Sequence, residues 1–430
     1  MMIFLIRFIY NLLFIIILPF IFLKNLWRSR LSPGYRKRNL ERLGFAPFKK
    51  DELEKPIWVH SVSMGETIAI SPLVKKLIAY YPEKQFLITT MSVTGSNQVK
   101  QIYQDFPQVK HCYLPYDISI CLHIFLRKIK PQVLIIMETE IWPNLLYLCH
   151  KKKIPTMLTN ARLSEKSAKG YKKINFLSKP LFNWINQIAV QNKTDAKRFL
   201  DTGFKKEKLF VTGNLKFDVS IPEETKLKGA ELKKSLGDKL TWIAASTHQG
   251  EDEIILKAHQ KIIEKFPNSL LMLVPRHPER FDSVFRLANE KFISIRRSEK
   301  TIPNEKTQVY LGDTMGEMMT FFQASDVAFI GGSLINHGGH NLLEPALFKL
   351  PVLSGKHTFN FAEITQQLIN ENGLLMINNE TELTKKITKL FSDETLRHKM
   401  GNNAYRVVKN NQGALNRQFK LVTKLIDHSL

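Results

Sequence analysis

The chain has 430 residues, too many for one small core, and a hydrophobic content of 44% excludes disorder over most of its length. Its formal net charge of +24 calls for an anionic partner: nucleic acid, an acidic membrane or a phosphorylated substrate. Cys112, Cys121 and Cys149 show no CxxC or Cys/His metal spacing, which speaks against a disulfide framework or a zinc site.

The N-terminus selects among those anions. Phe8 to Leu23 is an uncharged run of mostly Phe, Ile and Leu, preceded by Arg7 and extended by Met1 to Leu5 toward the roughly 20 residues a spanning helix needs. Lys24, Arg28, Arg30, Arg36, Lys37 and Arg38 follow at once. Such a flank stays cytoplasmic by the positive-inside rule and can grip anionic headgroups. No small-residue cleavage site follows, so a retained membrane anchor is expected over 1–27, with a buried core helix as the alternative.

Beyond it, short apolar runs alternate with helix-like stretches such as Glu66–Tyr80. Expected strands are Ile57–His60, Gln85–Thr90, Val133–Met137, Thr156–Thr159 and Gln187–Val190. After a Lys-, Glu- and Gly-rich break near Ser220–Asp238 come Thr241–Ala245, Ser269–Val274, Gln308–Leu311, Val327–Ile330 and Val352–Leu353. This βαβα order predicts doubly wound parallel sheets in an α/β protein of two Rossmann-like halves facing a cleft. The boundaries read as 28–220 for the first domain, 221–238 for a linker and 239–430 for the second. Ligands of such sheets bind at the carboxyl ends of strands, so the motifs there carry the function.

In the first half, His60-Ser-Val-Ser-Met-Gly-Glu66 runs from a strand end into a helix. Glu66 is placed to take a proton from a hydroxyl, or simply to complement the helix dipole. Met137-Glu-Thr-Glu-Ile-Trp-Pro-Asn144 sets Glu138 and Glu140 at another strand end, with Arg162 of Thr159-Asn-Ala-Arg-Leu-Ser164 as a natural partner. Val211-Thr-Gly-Asn-Leu-Lys-Phe-Asp218 brings Lys216 to the end of this half, where it could neutralise a phosphate or a carboxylate.

In the second half, Ala244-Ala-Ser-Thr-His248 and Val274-Pro-Arg-His-Pro-Glu-Arg280 close strands with small or basic residues. Arg276 and His277 suit a phosphate or a nucleobase. Gly312-Asp-Thr-Met-Gly-Glu-Met318 offers backbone groups of Met315, Gly316 and Glu317. The run from Ala328 to Gly355 is the most informative: an apolar strand stops at Gly331-Gly332-Ser333, a second pair Gly338-Gly339 follows, and Asn341 opens a helix carrying Glu344 and Pro345. Glycines let amides approach a phosphate, and a carboxylate there can accept ribose hydroxyls. No Walker A loop is present and no GxGxxG follows the first strand, which disfavours ATP hydrolysis and NAD chemistry. No DxD-type acidic pair indicates a metal-assisted transferase, and no metal site is expected.

Taken in order, HSVSMGE, METEIWPN, NARLS, GNLKFD, PRHPER, GDTMGEM and GGHNLLEPA, behind the apolar N-terminus, resemble the 3-deoxy-D-manno-octulosonic acid (Kdo) transferases of lipopolysaccharide synthesis over nearly the whole chain. The resemblance implies a GT-B fold and an inverting, metal-independent glycosyltransferase without a cofactor. It would move Kdo from CMP-Kdo to a phosphorylated lipid A precursor (lipid IVA), releasing CMP, on the cytoplasmic side of a bacterial inner membrane.

By motif, Glu66 resembles the general base, and Glu138 and Lys216 match positions assigned to transition-state stabilisation. Arg276, His277, Met315, Gly316, Glu317, Asn341, Leu342, Leu343 and Glu344 resemble the CMP site. The competing readings are another GT-B glycosyltransferase or nucleotide-sugar epimerase, and a non-catalytic membrane-tethered protein that binds anionic lipid. Carboxylates at strand ends argue against nucleic acid as a partner.

Overall fold

A computed structural model describes residues 2–30, 33–49, 52–219 and 221–428. The chain divides into two compact units, Met1–Asp218 with Gln412–Leu430, and Val219–Asn411.

The first unit is built on a seven-stranded parallel sheet. Its strands are β1 (Ile57–His60), β2 (Phe86–Thr90), β3 (Val109–Tyr113), β4 (Val133–Met137), β5 (Thr156–Ala161), β6 (Gln187–Val190) and β7 (Leu209–Val211), in the order β3-β2-β1-β4-β5-β6-β7. β1 pairs with β2 on one side and β4 on the other, so the winding direction reverses between β1 and β4. Successive side chains feed opposite layers, as strand geometry requires. Trp58, Leu134 and Ile136 enter one core, while Ile57, Val59, Val133 and Ile135 enter the other. Buried on both faces, the central strands read as continuous apolar runs.

The second unit repeats the plan with β8 (Thr241–Thr247), β9 (Leu270–Pro275), β10 (Ser294–Arg296), β11 (Val309–Leu311), β12 (Val327–Ile330), β13 (Val352–Gly355) and β14 (Leu374–Ile377). The order is β10-β11-β9-β8-β12-β13-β14, all parallel, with the reversal between β8 and β12. Trp242, Leu271, Leu273 and Phe329 lie at the centre of its core.

Two boundaries differ from expectation. The supposed linker at 221–238 holds a helix, Glu223–Ser235, packed against the helix Met318–Ala324 of the second unit. The last helix, Ala414–Asp427, belongs to the first unit, because Val422, Leu425 and Ile426 are buried with the helix Met64–Tyr80. Its start is fixed by Asp218, whose carboxylate accepts the backbone N–H groups of Gly413 and Leu415 at 2.5 and 2.6 Å. A C-terminal helix that continues the apolar periodicity gives no sequence sign of which unit it joins.

At the N-terminus Met2–Arg28 is one helix, and its Leu5–Arg28 stretch, with a mean hydropathy of 2.4, is long and apolar enough to cross a membrane.

Candidate active site

Each unit gathers polar groups where its sheet winding reverses, the place where open α/β sheets bind ligands.

In the first unit β1 ends at His60, and Ser63 caps the helix Met64–Tyr80. The Ser63-x-x-Glu66 spacing is that of a capping box, with the Ser63 hydroxyl accepting the Glu66 N–H and the glutamate reaching back to the residue before the cap. The Ser63 hydroxyl donates to Glu66 Oε1 at 2.9 Å, and the Val62 N–H donates to Oε2 at 2.8 Å. The capping role is therefore present, and it also holds the carboxylate in one position. Burial pushes the Glu66 proton affinity above the ordinary carboxylate range despite the bonds to Val62 and Ser63; the Glu138 charge adds to the rise and Arg162 opposes it. Gly65, just before it, has no atom within 4 Å of where a Cβ would stand.

Glu138 follows β4 with φ +58, a left-handed conformation costly for a residue with a Cβ. Two contacts hold it there. Its N–H donates to the Thr159 carbonyl at 2.9 Å, and its carboxylate accepts from Arg162 Nε at 3.0 Å. Glu140 titrates at about 7, raised by burial and then by the charges of Glu66 and Glu138. The structure thus brings together three carboxylates and one arginine, and Glu140 is the member whose importance spacing alone does not signal.

Lys216 sits half-buried on the short turn Leu215–Phe217, which packs against the helix of Glu66. Asn160 positions that turn. It stands at φ +51 next to the Arg162 loop, its Oδ1 accepts the Leu215 N–H at 2.9 Å, and its own N–H donates to Gln418 of the last helix at 3.1 Å. His60 points elsewhere. It is buried, bonded to Thr89 and held neutral by burial, titrating at about 4.

In the second unit the glycine loop after β12 crosses close to the end of β8. A Cβ on Gly331 would lie 2.6 Å from the Ser246 carbonyl oxygen, so only glycine fits. The expectation that this loop offers its amides to a phosphate needs correction. The buried carboxylate of Glu251 accepts the N–H groups of Gly332, Ser333 and Leu334 at 2.6, 3.0 and 3.0 Å, and that of His248 at 3.0 Å. Gly331 N–H is taken by the Ala245 carbonyl and Gly339 N–H by that of Gly332. Glu251 shapes the loop from within, a role that no local motif announces.

The helix expected from Asn341 is only five residues, Leu343–Leu347, because Pro345 and the turn at Phe348 leave no room for more. Asn341 orients its side chains: Oδ1 accepts the Leu343 N–H at 3.1 Å, and Nδ2 donates to Glu344 Oε1 at 3.0 Å. Leu342 and Leu343 are buried beneath them. Burial raises the Glu344 proton affinity, and Asn341 and Arg276 pull it back.

Arg276 and His277 follow β9 and are exposed, with the Arg276 N–H bound to the Thr247 carbonyl at 3.0 Å. In the Gly312–Met318 loop Met315 is exposed and Gly316 adopts φ +86 with open space around it. The Glu317 side chain is committed to a two-pronged bond with Arg297, shortest at 2.6 Å, and holds the loop rather than facing a ligand.

His248, His337 and His340 bring ligand nitrogens within 4.8 Å of one another, a spacing compatible with a transition metal. Their arrangement suits a hydrogen-bonded set better. The Nε2 atoms of His248 and His340 face each other at 2.8 Å with the rings 2° from parallel, a geometry in which one donates to the other. Both are held neutral by burial first and then by the surrounding histidine rings and arginine cations, titrating at about 4 and about 3. Arg276 is among those cations, and its field favours an anion over a metal ion.

Residues 37–219 match a family model described as 3-deoxy-D-manno-octulosonic-acid transferase (kdotransferase), and residues 238–407 match glycosyl transferases group 1. The 3-deoxy-D-manno-octulosonic acid transferase of Haemophilus influenzae is 44% identical, covering 99% of this chain and 100% of that protein. The enzyme of the same name from Bordetella pertussis is 34% identical over 74% of this chain and 75% of its own length.

Among solved structures, UDP-GlcNAc 2-epimerase from Neisseria meningitidis aligns over 86% of this chain and all of its own, with a TM-score of 0.55 at 15% identity. That similarity speaks for the fold alone, the GT-B type. The C-terminal CMP-Kdo binding domain of WaaA from Acinetobacter baumannii aligns with 44% of this chain and 99% of its own, at 32% identity and a TM-score of 0.42.

Proposed function

Because the chain belongs to the 3-deoxy-D-manno-octulosonic acid transferase family, we propose that it transfers Kdo from CMP-Kdo to a hydroxyl of a phosphorylated lipid A precursor, lipid IVA, and releases CMP. The observation that carries this reading is the carboxylate group of the first unit, Glu66 with Glu138, Glu140 and Arg162, at the winding reversal of its sheet.

The step is a single displacement. Glu66 takes the acceptor proton, the freed oxygen pair attacks the anomeric carbon of Kdo, and the bond from that carbon to the CMP phosphate breaks with its electrons leaving on the phosphate. One displacement inverts the anomeric centre. A carboxylate whose proton affinity is raised by burial suits proton removal near neutral pH. Positive charge forms on the sugar as the phosphate departs, and a fixed anion such as Glu138 favours it.

Lys216 serves transition-state stabilisation and Arg276 counters the phosphate charge of CMP, and the step calls for no metal ion. His277, the Met315–Gly316–Glu317 loop and Asn341, Leu342, Leu343 and Glu344 hold the nucleotide. The amides offered to it are those of Met315, Gly316 and Glu317 rather than Gly332 to Leu334, which Glu251 occupies. The reading places the protein at the bacterial inner membrane, with both units on the cytoplasmic side. A net charge of +24 suits an acceptor that carries phosphate groups.

The test is incubation with CMP-Kdo and lipid IVA, with mass measurement of the lipid. Addition of Kdo units with release of CMP is expected. No mass gain, together with thermal protection by a UDP-sugar but not by CMP-Kdo, would overturn the assignment.

A further inference from the structure

The N-terminal helix does not stand free of the first unit. Its half-buried positions are 6, 7, 10, 11, 14, 18, 21, 22 and 25, a three- and four-residue spacing that marks one continuous face. That face carries most of the polar side chains of the helix, and the first unit bonds them.

Arg7 donates from Nε to Asn144 Oδ1 at 3.1 Å and from Nη2 to Ser119 Oγ at 3.0 Å, and its guanidinium lies 3.4 Å from the centre of the Tyr147 ring. Asn11 Oδ1 accepts the Ser119 N–H at 2.8 Å and a proton from Asn144 Nδ2 at 3.2 Å. Asn144 is fully buried and anchored in turn by Asp117, which accepts its N–H at 3.0 Å. Further along, Phe14, Leu18, Ile21 and Phe22 pack on Tyr116, Ile118 and Cys121, and Asn25 donates to the Tyr116 hydroxyl at 3.2 Å.

The contacts run from Arg7 to Asn25, about 27 Å of helix at 1.5 Å per residue. That is close to the roughly 30 Å thickness of a bilayer's hydrocarbon core. A helix crossing the bilayer in this arrangement would draw the docked flank of the first unit into hydrocarbon, including the exposed end of the helix that carries Lys151. Crossing without the docking would strip Arg7, Asn11 and Asn25 of the partners that bond them here. Neither is compatible with the bonds observed.

The opposite face is apolar and open: Phe8, Leu12, Ile16, Phe20 and Trp27 are all about half exposed or more. Lys24, Arg28, Arg30, Arg36 and Lys37 are exposed beside it. Arg38, expected to join them, is instead tied to Glu41 at 2.6 Å. An apolar stripe bordered by cations is the pattern of a helix lying in the surface of an anionic leaflet.

We propose that this helix lies within one leaflet of an anionic phospholipid membrane, clamped along its inner face to the first unit by Arg7 and Asn11, and does not cross. The inference deepens the membrane placement above and is independent of which sugar is transferred.

The test uses the full chain with a single added cysteine at Leu5, Ile16 or Trp27, since the three native cysteines are buried. Each variant carries an environment-sensitive fluorophore and is mixed with phosphatidylethanolamine–phosphatidylglycerol vesicles holding lipid spin labels at shallow or deep acyl positions. All three sites should be quenched most strongly by the shallow label and report one common depth. A profile with Ile16 deep and the other two shallow means a spanning helix and overturns the proposal, as does no quenching at any site. Replacing phosphatidylglycerol by phosphatidylcholine should weaken vesicle binding at least tenfold, given about 1 kcal/mol per basic residue near an anionic surface. Unchanged binding would rule out the anionic leaflet as the partner.

Discussion

Glu251 Oε1 accepts the Ser333 backbone N–H at 3.0 Å across 82 residues of sequence. The same carboxylate holds three more amides, so the glycine loop is shaped by a buried anion of the protein itself. Glu251→Gln keeps one accepting oxygen and turns an NH₂ group toward the remaining donors. Each buried N–H left unpaired costs about 1–3 kcal/mol, and because each oxygen accepts two of them, two are left facing the new nitrogen. The thermal midpoint of the second unit should fall on the order of 5–10 °C, at about 2–4 °C per kcal/mol for a unit of this size. Protection by CMP should weaken with it. A midpoint within a degree of the parent would mean that the loop keeps its shape without this acceptor.

The comparison with sequence turns on burial. The ten expected strands all exist, and the four missed ones, β3, β7, β10 and β14, are the four sheet edges. An edge strand covers only part of its surface: Ser294–Arg296 is half-exposed throughout and Leu209–Val211 opens further at Val211, so neither shows the continuous apolar run that marks the centre. At the candidate site, the positions of Glu66 and Glu138 just past strand ends and the glycine pairs were legible, because turn residues and apolar runs are local signals, whereas Lys216 could be placed only at the end of the first half. Glu251 was not, since its meaning depends on a loop far along the chain. Nor was the pairing of His248 with His340, for the same reason. The docking face of the first helix was half-legible: Arg7, Asn11 and Asn25 lie on one side of it, but their partners at Asp117, Ser119 and Asn144 come from elsewhere.

Gly65 poses a stability question with a functional answer. It occupies the first turn of a 17-residue helix, and nothing stands within 4 Å of its absent Cβ. For folding alone, alanine there gains about 0.5–1 kcal/mol. Gly65→Ala should therefore unfold no earlier than the parent, while Kdo transfer should fall at least tenfold if the acceptor proposed to meet Glu66 also approaches this backbone. Full transfer activity in a stable Gly65→Ala protein would show that the space is merely solvent.

Glu140 should leave a mark on the pH dependence of stability. Its carboxyl titrates at about 7 in the folded protein, raised by burial and by Glu66 and Glu138, against the ordinary 4.5 when unfolded. Between those values the folded state binds more protons, so stability falls as pH rises from about 4.5 to about 7 and is level above. Glu140→Gln removes that slope. The variant should match the parent below pH 4.5 and exceed it by about 1 kcal/mol at pH 8, well under the full conversion of the shift because the group is half-exposed. Denaturant melts at the two pH values check it; parallel curves for both proteins would remove Glu140 from the carboxylate set.

Glu66 has two duties that substitution can separate. As a capping-box residue it accepts from Val62 N–H and from the Ser63 hydroxyl, and as the proposed base it must also lose and gain a proton. Glutamine reproduces the first duty, with its oxygen toward Val62 and its amide toward Ser63, so Glu66→Gln should cost less than about 1 kcal/mol of stability. It cannot perform the second, and transfer should fall by about 10²–10⁴. Alanine loses both, adding about 0.5–2 kcal/mol of destabilisation to the same loss of rate. The pH profile gives an independent reading. Burial raises the Glu66 proton affinity, so parent activity should climb through a limb above the ordinary carboxylate range, one that belongs to the coupled pair Glu66 and Glu140 rather than to one residue. Residual activity of Glu66→Gln should lack the part of that limb due to the base. Transfer by Glu66→Gln at the parent rate, in a protein shown to be folded, would leave Glu66 as a helix cap and nothing more.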